Sequence, residues 1–189
     1  MASPIVFDVE TQRIFQEVNN ETDKLGVSVV GVYDYADGSF KTFFEKDLPQ
    51  LFQLFEKASI LIGFNSKKFD LEVLKHYYVG DLTKFRSLDL LEEVHKSLGK
   101  RIALDDLVKG TLGKRKEGHG FLAINYFREG KFAELAKYCQ SDVRLTRDLY
   151  EYGKKYGKVY YFGPYGKVEI KVNWRDMEVV GDVNLTLPI

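Results

Sequence analysis

The spacing of apolar positions along the chain changes several times, and each change marks a predicted element. Residues 5–9 are an apolar run broken by one acidic residue, which predicts a buried first strand. Residues 25–33 are rich in β-branched side chains and bounded by glycine, predicting a second strand. Asp37-Gly38 is a hairpin signal that leads into a third strand over 39–44. The spacing then lengthens. Leu48, Leu51, Phe52, Leu54 and Phe55 make a helical stripe over 47–57, with Asp47 as its candidate cap. Residues 60–63 read as another buried strand, 70–78 as a helix with Leu71, Val73 and Leu74 inward, and 87–89 as a strand end or turn. Helices are predicted next near 90–98, 104–111, 122–128 and 131–155.

After Tyr156 the pattern alternates again. Val159-Tyr160-Tyr161-Phe162, a Gly163-Pro164-Tyr165-Gly166 turn and residues 167–172 predict a hairpin, while no pattern emerges beyond Trp174. A meander, a helical crossover, further strands and a helical half predict an α/β fold, a mixed β-sheet flanked by helices. Residues 1–156 are expected to form the main domain, and 157–189 a C-terminal hairpin and tail packed on it. A length of 189 residues suits this, and 44% hydrophobic with 30% charged residues fits a soluble globular chain.

Charge and cysteine content narrow little. Lys plus Arg equals Asp plus Glu at 28 each, so a nucleic-acid ligand would require the basic residues to gather on one face. The single cysteine, Cys139, excludes an intramolecular disulfide and a cysteine-only zinc site. Met1-Ala2-Ser3-Pro4 has no basic region followed by an apolar run, and no stretch approaches the roughly 20 apolar residues of a membrane span. A cytoplasmic protein without membrane contact is expected.

Three segments carry candidate chemistry. Phe7-Asp8-Val9-Glu10-Thr11 ends the first strand, and strand alternation turns Asp8 and Glu10 to one face. Two such carboxylates suit a hard cation such as Mg²⁺ or Mn²⁺. Read alone, the pair is equally compatible with one carboxylate in solvent and the other capping the next loop. Gly63-Phe64-Asn65-Ser66-Lys67-Lys68-Phe69-Asp70 follows a strand, where Asp70 reads equally as a helix cap and Asn65 as a turn residue. Tyr138-Cys139-Gln140-Ser141-Asp142 lies in the last long helix, with Tyr138 and Asp142 four apart on one face. An isolated mid-helix aspartate more often faces solvent.

In order, these segments resemble the three motifs of the DEDD superfamily of 3′–5′ exonucleases, which have a ribonuclease-H-like fold: Asp-x-Glu, Asn-x-x-x-Phe-Asp and Tyr-x-x-x-Asp. The likeness runs from about residue 5 to residue 152 and is to the tyrosine branch, with Lys137 where the histidine branch carries its base. The long helical half and Ser87-Leu88-Asp89-Leu90 resemble stand-alone or helicase-associated ribonuclease-H-like domains, and the exonuclease domains of family B DNA polymerases are also similar. The resemblance implies two divalent cations, Mg²⁺ or Mn²⁺. Asp8 would bridge both, Glu10 and Asp142 would complete one site, and Asp70 would hold the second. It implies that Tyr138 orients the attacking water or the scissile phosphate. A tyrosine with pKa near 10 is a poor base at neutral pH, whereas a cation-bound water needs none.

The implied substrate is the 3′ end of single-stranded nucleic acid, DNA favoured over RNA. A helicase or another DNA- or RNA-processing protein is the expected partner. Thr11, Asn65 and Phe69 are the candidate substrate contacts beside the carboxylates. Lys114 and Arg115 are others, in a basic loop that runs through Lys116 and carries His119; a solvated loop is the commoner meaning of such a run. Tyr160, Tyr161, Phe162 and Tyr165 interleave with Lys154, Lys155, Lys158 and Lys167, which suits either a single strand or a cover over an apolar edge. The alternative from another class is a catalytically inactive or structure-specific nucleic-acid-binding module on the same fold.

Overall fold

A computed structural model describes residues 2–116, 118 and 120–175. Among the described residues seven strands form two sheets: β1 (Ile5–Thr11), β2 (Val27–Asp34), β3 (Ser39–Phe44), β4 (Leu61–Gly63) and β5 (Ser87–Asp89) in order 3-2-1-4-5, with β6 (Lys158–Gly163) paired to β7 (Gly166–Lys171). β1 runs antiparallel to β2 and parallel to β4, and β4 is parallel to β5. The sheet is therefore mixed, as the alternation of meander and crossover predicts. The helices are α1 (Leu48–Phe55), α2 (Asp70–Leu74), α3 (Leu90–Leu98), α4 (Leu104–Leu112), α5 (Gly120–Arg128) and α6 (Phe132–Tyr156). The expected tail beyond Arg175 and His119 of the basic loop lie outside the described residues. No helix among the described residues is long and apolar enough to cross a membrane.

β1 is the centre of the fold because strand alternation divides its side chains between two layers. Ile5, Phe7 and Val9 enter a core with Leu48, Leu51, Phe52 and Phe55 of α1. Val6 joins the opposite core, which holds Val143, Leu145 and Leu149 of α6. Asp8 and Glu10 share the parity of Val6, so they face the α6 layer.

Three local expectations are corrected. Asp47 stands at the N-cap position of α1 as expected, but its side chain makes no cap bond there; its carboxylate accepts the backbone N–H of Phe44 at 3.2 Å. Pro49, at the second position of α1, lacks the N–H that a forward cap would bind. The helix predicted over 70–78 stops at Leu74 and tightens into a 3-10 turn over Lys75–Tyr77. Asp70 is not the cap of α2, since Phe69 occupies that position and the Asp70 carboxylate is used elsewhere.

The hairpin packs edge-on against α4. A Cβ on Gly110 would lie 2.5 Å from the Tyr160 carbonyl oxygen, so only glycine allows this approach. Thr111 Oγ1 accepts the Tyr160 N–H at 2.8 Å and donates to the Tyr160 carbonyl at 3.1 Å, standing in for a neighbouring strand. Val159, Tyr161, Ile170 and Trp174 then enter the core beside Leu107 and Leu149.

Candidate metal centre and adjoining cleft

The carboxylates converge because α6 lies unusually close to the sheet. In the β1–β2 ladder Asp8 pairs with Gly31 and Glu10 with Val29. A Cβ at residue 31 would sit 2.9 Å from both Cys139 Sγ and Val143 Cγ2. The absence of that atom lets the helix settle onto β2 and brings Asp142 to β1. One oxygen from each of Asp8, Glu10 and Asp142 then falls within 4.8 Å of the others. The mid-helix aspartate does not face solvent; its side chain is 1% exposed.

Asp70 is placed beside this triplet rather than in it. Its Oδ1 accepts the N–H of Val9, between Asp8 and Glu10, at 2.8 Å. The segment that carries it is held by Asp89, which accepts the N–H groups of Asn65 at 2.9 Å and Lys67 at 3.2 Å. The same carboxylate caps α3 through Leu91 and Glu92. Asn65 has a left-handed φ of 64°, tolerated best by glycine and asparagine, and its side-chain oxygen accepts from Arg101 at 2.6 Å.

Burial and mutual repulsion make full ionisation costly. Burial drives the Asp8 carboxyl well above its ordinary value, and Asp70, Glu10 and Asp142 push it further. Burial, then Asp142, raises Glu10 to about 8. Burial raises Asp70 to about 7 despite its backbone hydrogen bonds. Asp142 is also raised by burial, with Lys116 opposing. Burial lifts the Tyr138 phenol above its usual range, so it is neutral at physiological pH. Both the Tyr138 hydroxyl and Asp142 Oδ1 are buried without a hydrogen-bond partner among the described residues. An all-oxygen donor set with an orphaned acceptor fits a hard divalent cation.

One member of the centre had no motif to announce it. Lys116 Nζ lies 2.7 Å from Asp142 Oδ2 and 5.5 Å from the centre of the Tyr138 ring. Asp105 in α4 fixes the loop by accepting the Lys116 N–H at 2.7 Å. Burial alone would lower the Lys116 ammonium pKa, but Asp142 and Asp8 outweigh it and raise it. Its neighbours in the basic run point elsewhere. Lys114 pairs with Asp148 at 2.7 Å, and Arg115 is exposed.

Beside the carboxylates lies a cleft of about 740 Å³. Glu10, Thr11, Phe69 and Lys116 line it, together with Phe15 and Phe121. Thr11 and Phe69 are thus brought to the cleft. Asn65 does not line it; its amide faces Arg101 in a smaller cavity with Lys68 and His95. Phe15 and Phe69 are 6.0 Å apart between ring centres. Phe15 and Phe121 are exposed aromatic residues that gave no pattern in the sequence, since only the fold brings them to the same cleft as Phe69.

The family model RNase_H_2, of the RNase_H superfamily, matches residues 5–153. Among solved structures, the family B DNA polymerase of the hyperthermophilic archaeon Pyrobaculum calidifontis is similar with a TM-score of 0.61 and 18% identity. That match covers 79% of this chain and 24% of the polymerase chain. RNase D of Trypanosoma brucei is similar with a TM-score of 0.58 and 18% identity, covering 80% of this chain and 57% of that one. The chain therefore spans about a quarter of the one and just over half of the other, and at such identity the likeness is one of fold. A comparison with curated protein sequences returned no match.

Proposed function

We propose, from the premise that this chain belongs to the RNase_H superfamily, that it is a metal-dependent 3′–5′ exonuclease of the tyrosine branch of the DEDD group. The observation that carries this reading is the convergence of Asp8, Glu10 and Asp142, with Glu10 also lining an open aromatic cleft. Burying like charges together is costly unless a cation joins them, and a cleft at that point gives a polymer end access.

Asp8 would bridge two Mg²⁺ or Mn²⁺ ions, with Glu10 and Asp142 on one and Asp70 on the other. When bound, such a pair lowers the pKa of water and stabilises charge on both the attacking and leaving oxygens. The chain's own groups do the rest. The neutral Tyr138 hydroxyl has a free hydrogen-bonding capacity with which to orient the water or the scissile phosphate. The Lys116 ammonium, next to Asp142, supplies positive charge to a phosphate oxygen. Phe69 and Phe15 offer apolar surface to the terminal sugar and base, with Thr11 beside them. Water oxygen bonds to phosphorus and gives up a proton, the bond to the 3′-oxygen of the preceding nucleotide breaks and that oxygen takes up a proton from solvent, and a nucleoside 5′-monophosphate leaves. The 3′ polarity rests on the resemblance of the three motifs.

The test uses 5′-labelled single-stranded DNA and RNA with Mg²⁺ or Mn²⁺. A ladder of products shortened from the 3′ end, absent in chelator and in Asp8→Ala, is expected. Intact polymers, or a ladder undiminished in Asp8→Ala, refute the reading. Tyr138→Phe with unchanged turnover removes that residue alone from the mechanism.

A further inference from the structure

The outer face of the C-terminal hairpin plays no part in the metal centre, yet its composition is that of a binding surface. Val159, Tyr161 and Ile170 turn inward to the core. The alternate pairs Lys158–Lys171, Tyr160–Glu169 and Phe162–Lys167 therefore share the other face. It holds three lysines around two aromatic rings. Its one carboxylate, Glu169, is already taken by Lys158 at 2.9 Å and by the Tyr160 hydroxyl at 3.1 Å. Lys167 Nζ stands 4.4 Å from the Tyr160 ring centre, and Lys109 Nζ, from α4, stands 5.9 Å from that of Phe162. Phe162 is 54% exposed, and Tyr165 at the turn is fully exposed at 103%. Exposed aromatics of this size are not needed to close the core, which the opposite face already does.

We propose that this face binds single-stranded nucleic acid a few nucleotides away from the metal centre; the proposal rests on the nuclease reading above. The chemistry commits to that occupant. Rings stack bases of any sequence, and flanking ammonium groups hold the phosphates between them. An apolar protein surface would strip water from the lysines without pairing them, and an acidic peptide would leave the rings without a stacking partner. The position is suitable. Thr111 holds Tyr160 through two hydrogen bonds, and Lys116 of the metal centre follows Thr111 by five residues. Five residues span at most about 18 Å, the length of about five stacked nucleotides at roughly 3.4 Å each. A strand with its 3′ end at Asp8 is long enough to reach the hairpin.

The test is fluorescence anisotropy in chelator with labelled oligo-dT of about 3 nucleotides, too short to cover that span, and of about 20, and oligo-U of the longer length. Wild type binds the longer strands more tightly than the short one. Phe162→Ala weakens long-strand binding at least about fivefold. Lys167→Gln with Lys171→Gln, which leaves the rings in place, reduces the magnitude of the log-log salt slope by about 1.4, at about 0.7 per phosphate contact. Both changes are on exposed side chains, and unchanged thermal midpoints confirm the fold. Long-strand affinity and salt slope at wild-type values in both variants overturn the proposal, as does a wild type that binds long and short strands alike. Hydrolysis of the short strand with Mn²⁺ is read separately, and its absence in wild type refutes the nuclease reading rather than the hairpin face.

Discussion

Gly31→Ala places one methyl group between β2 and α6, where the fold sets the spacing of the metal centre. Its Cβ would meet Cys139 Sγ and Val143 Cγ2 at 2.9 Å, and the Cys139 carbonyl oxygen at 3.3 Å. Non-bonded heavy atoms settle at about 3.5–4.0 Å, so the two layers must part by roughly 0.6 Å or more. Cys139 can rotate, but Val143 is β-branched on a helix and has one favoured rotamer. The helix itself therefore yields, and Asp142, adjacent to Val143, moves with it. Overpacking of this kind costs about 1–3 kcal/mol. Cation sites hold their distances to about 0.2 Å, so the displaced carboxylate should weaken Mn²⁺ binding at least about tenfold. Urea denaturation in chelator reads the first effect and a Mn²⁺ titration of the thermal midpoint reads the second. Cys139→Ala in the same chain removes one of the colliding atoms and restores part of both losses. A Gly31→Ala protein with wild-type stability and wild-type Mn²⁺ affinity refutes the link between helix approach and the site.

Lys116→Met removes the ammonium 2.7 Å from Asp142; isothermal titration should find Mn²⁺ bound several-fold more tightly while strand hydrolysis falls, and weaker Mn²⁺ binding contradicts this. With Glu10 raised to about 8 and Asp70 to about 7, the folded chain keeps protons that the unfolded chain releases near pH 4. Stability without metal must then fall as pH rises from about 4 to about 8 and level off above, and calorimetry showing a flat or rising midpoint over that window contradicts it. Metal binding requires the deprotonated carboxylates, so the gain in midpoint on adding Mn²⁺ should grow over the same window. Asp89→Ala frees four backbone N–H groups at once; a loss of about 1–3 kcal/mol in urea denaturation is expected, and a loss under about 0.5 kcal/mol would show that the Asn65 loop is held by other contacts.

Much of the fold was legible because period and punctuation agree. Strand alternation set Asp8 and Glu10 on one face, and the four-residue step set Tyr138 beside Asp142. What the chain did not reveal depends on tertiary geometry. Gly31 reads as an ordinary glycine in a strand until its register opposite Asp8 is known. Lys116 reads as one cation of a basic run until the Asp105 carboxylate fixes the loop and turns that residue, rather than Lys114, to the carboxylates. Asp89 looks like a strand-end acid, but it also clamps the Asn65 loop. Asp47 holds the cap position that the sequence marks, but Pro49 removes a donor that its side chain would need, and the carboxylate turns back to Phe44.

The central claim is that Asp8, Glu10, Asp70 and Asp142 form one divalent-cation centre. Its most direct measurement is the number of Mn²⁺ ions bound per chain, followed by the paramagnetic resonance signal of free Mn²⁺ for wild type and Asp8→Ala. Two saturable ions in wild type and none of comparable affinity in Asp8→Ala are predicted, because one carboxylate serves both positions. Wild type without saturable binding, or Asp8→Ala binding as wild type does, contradicts the account.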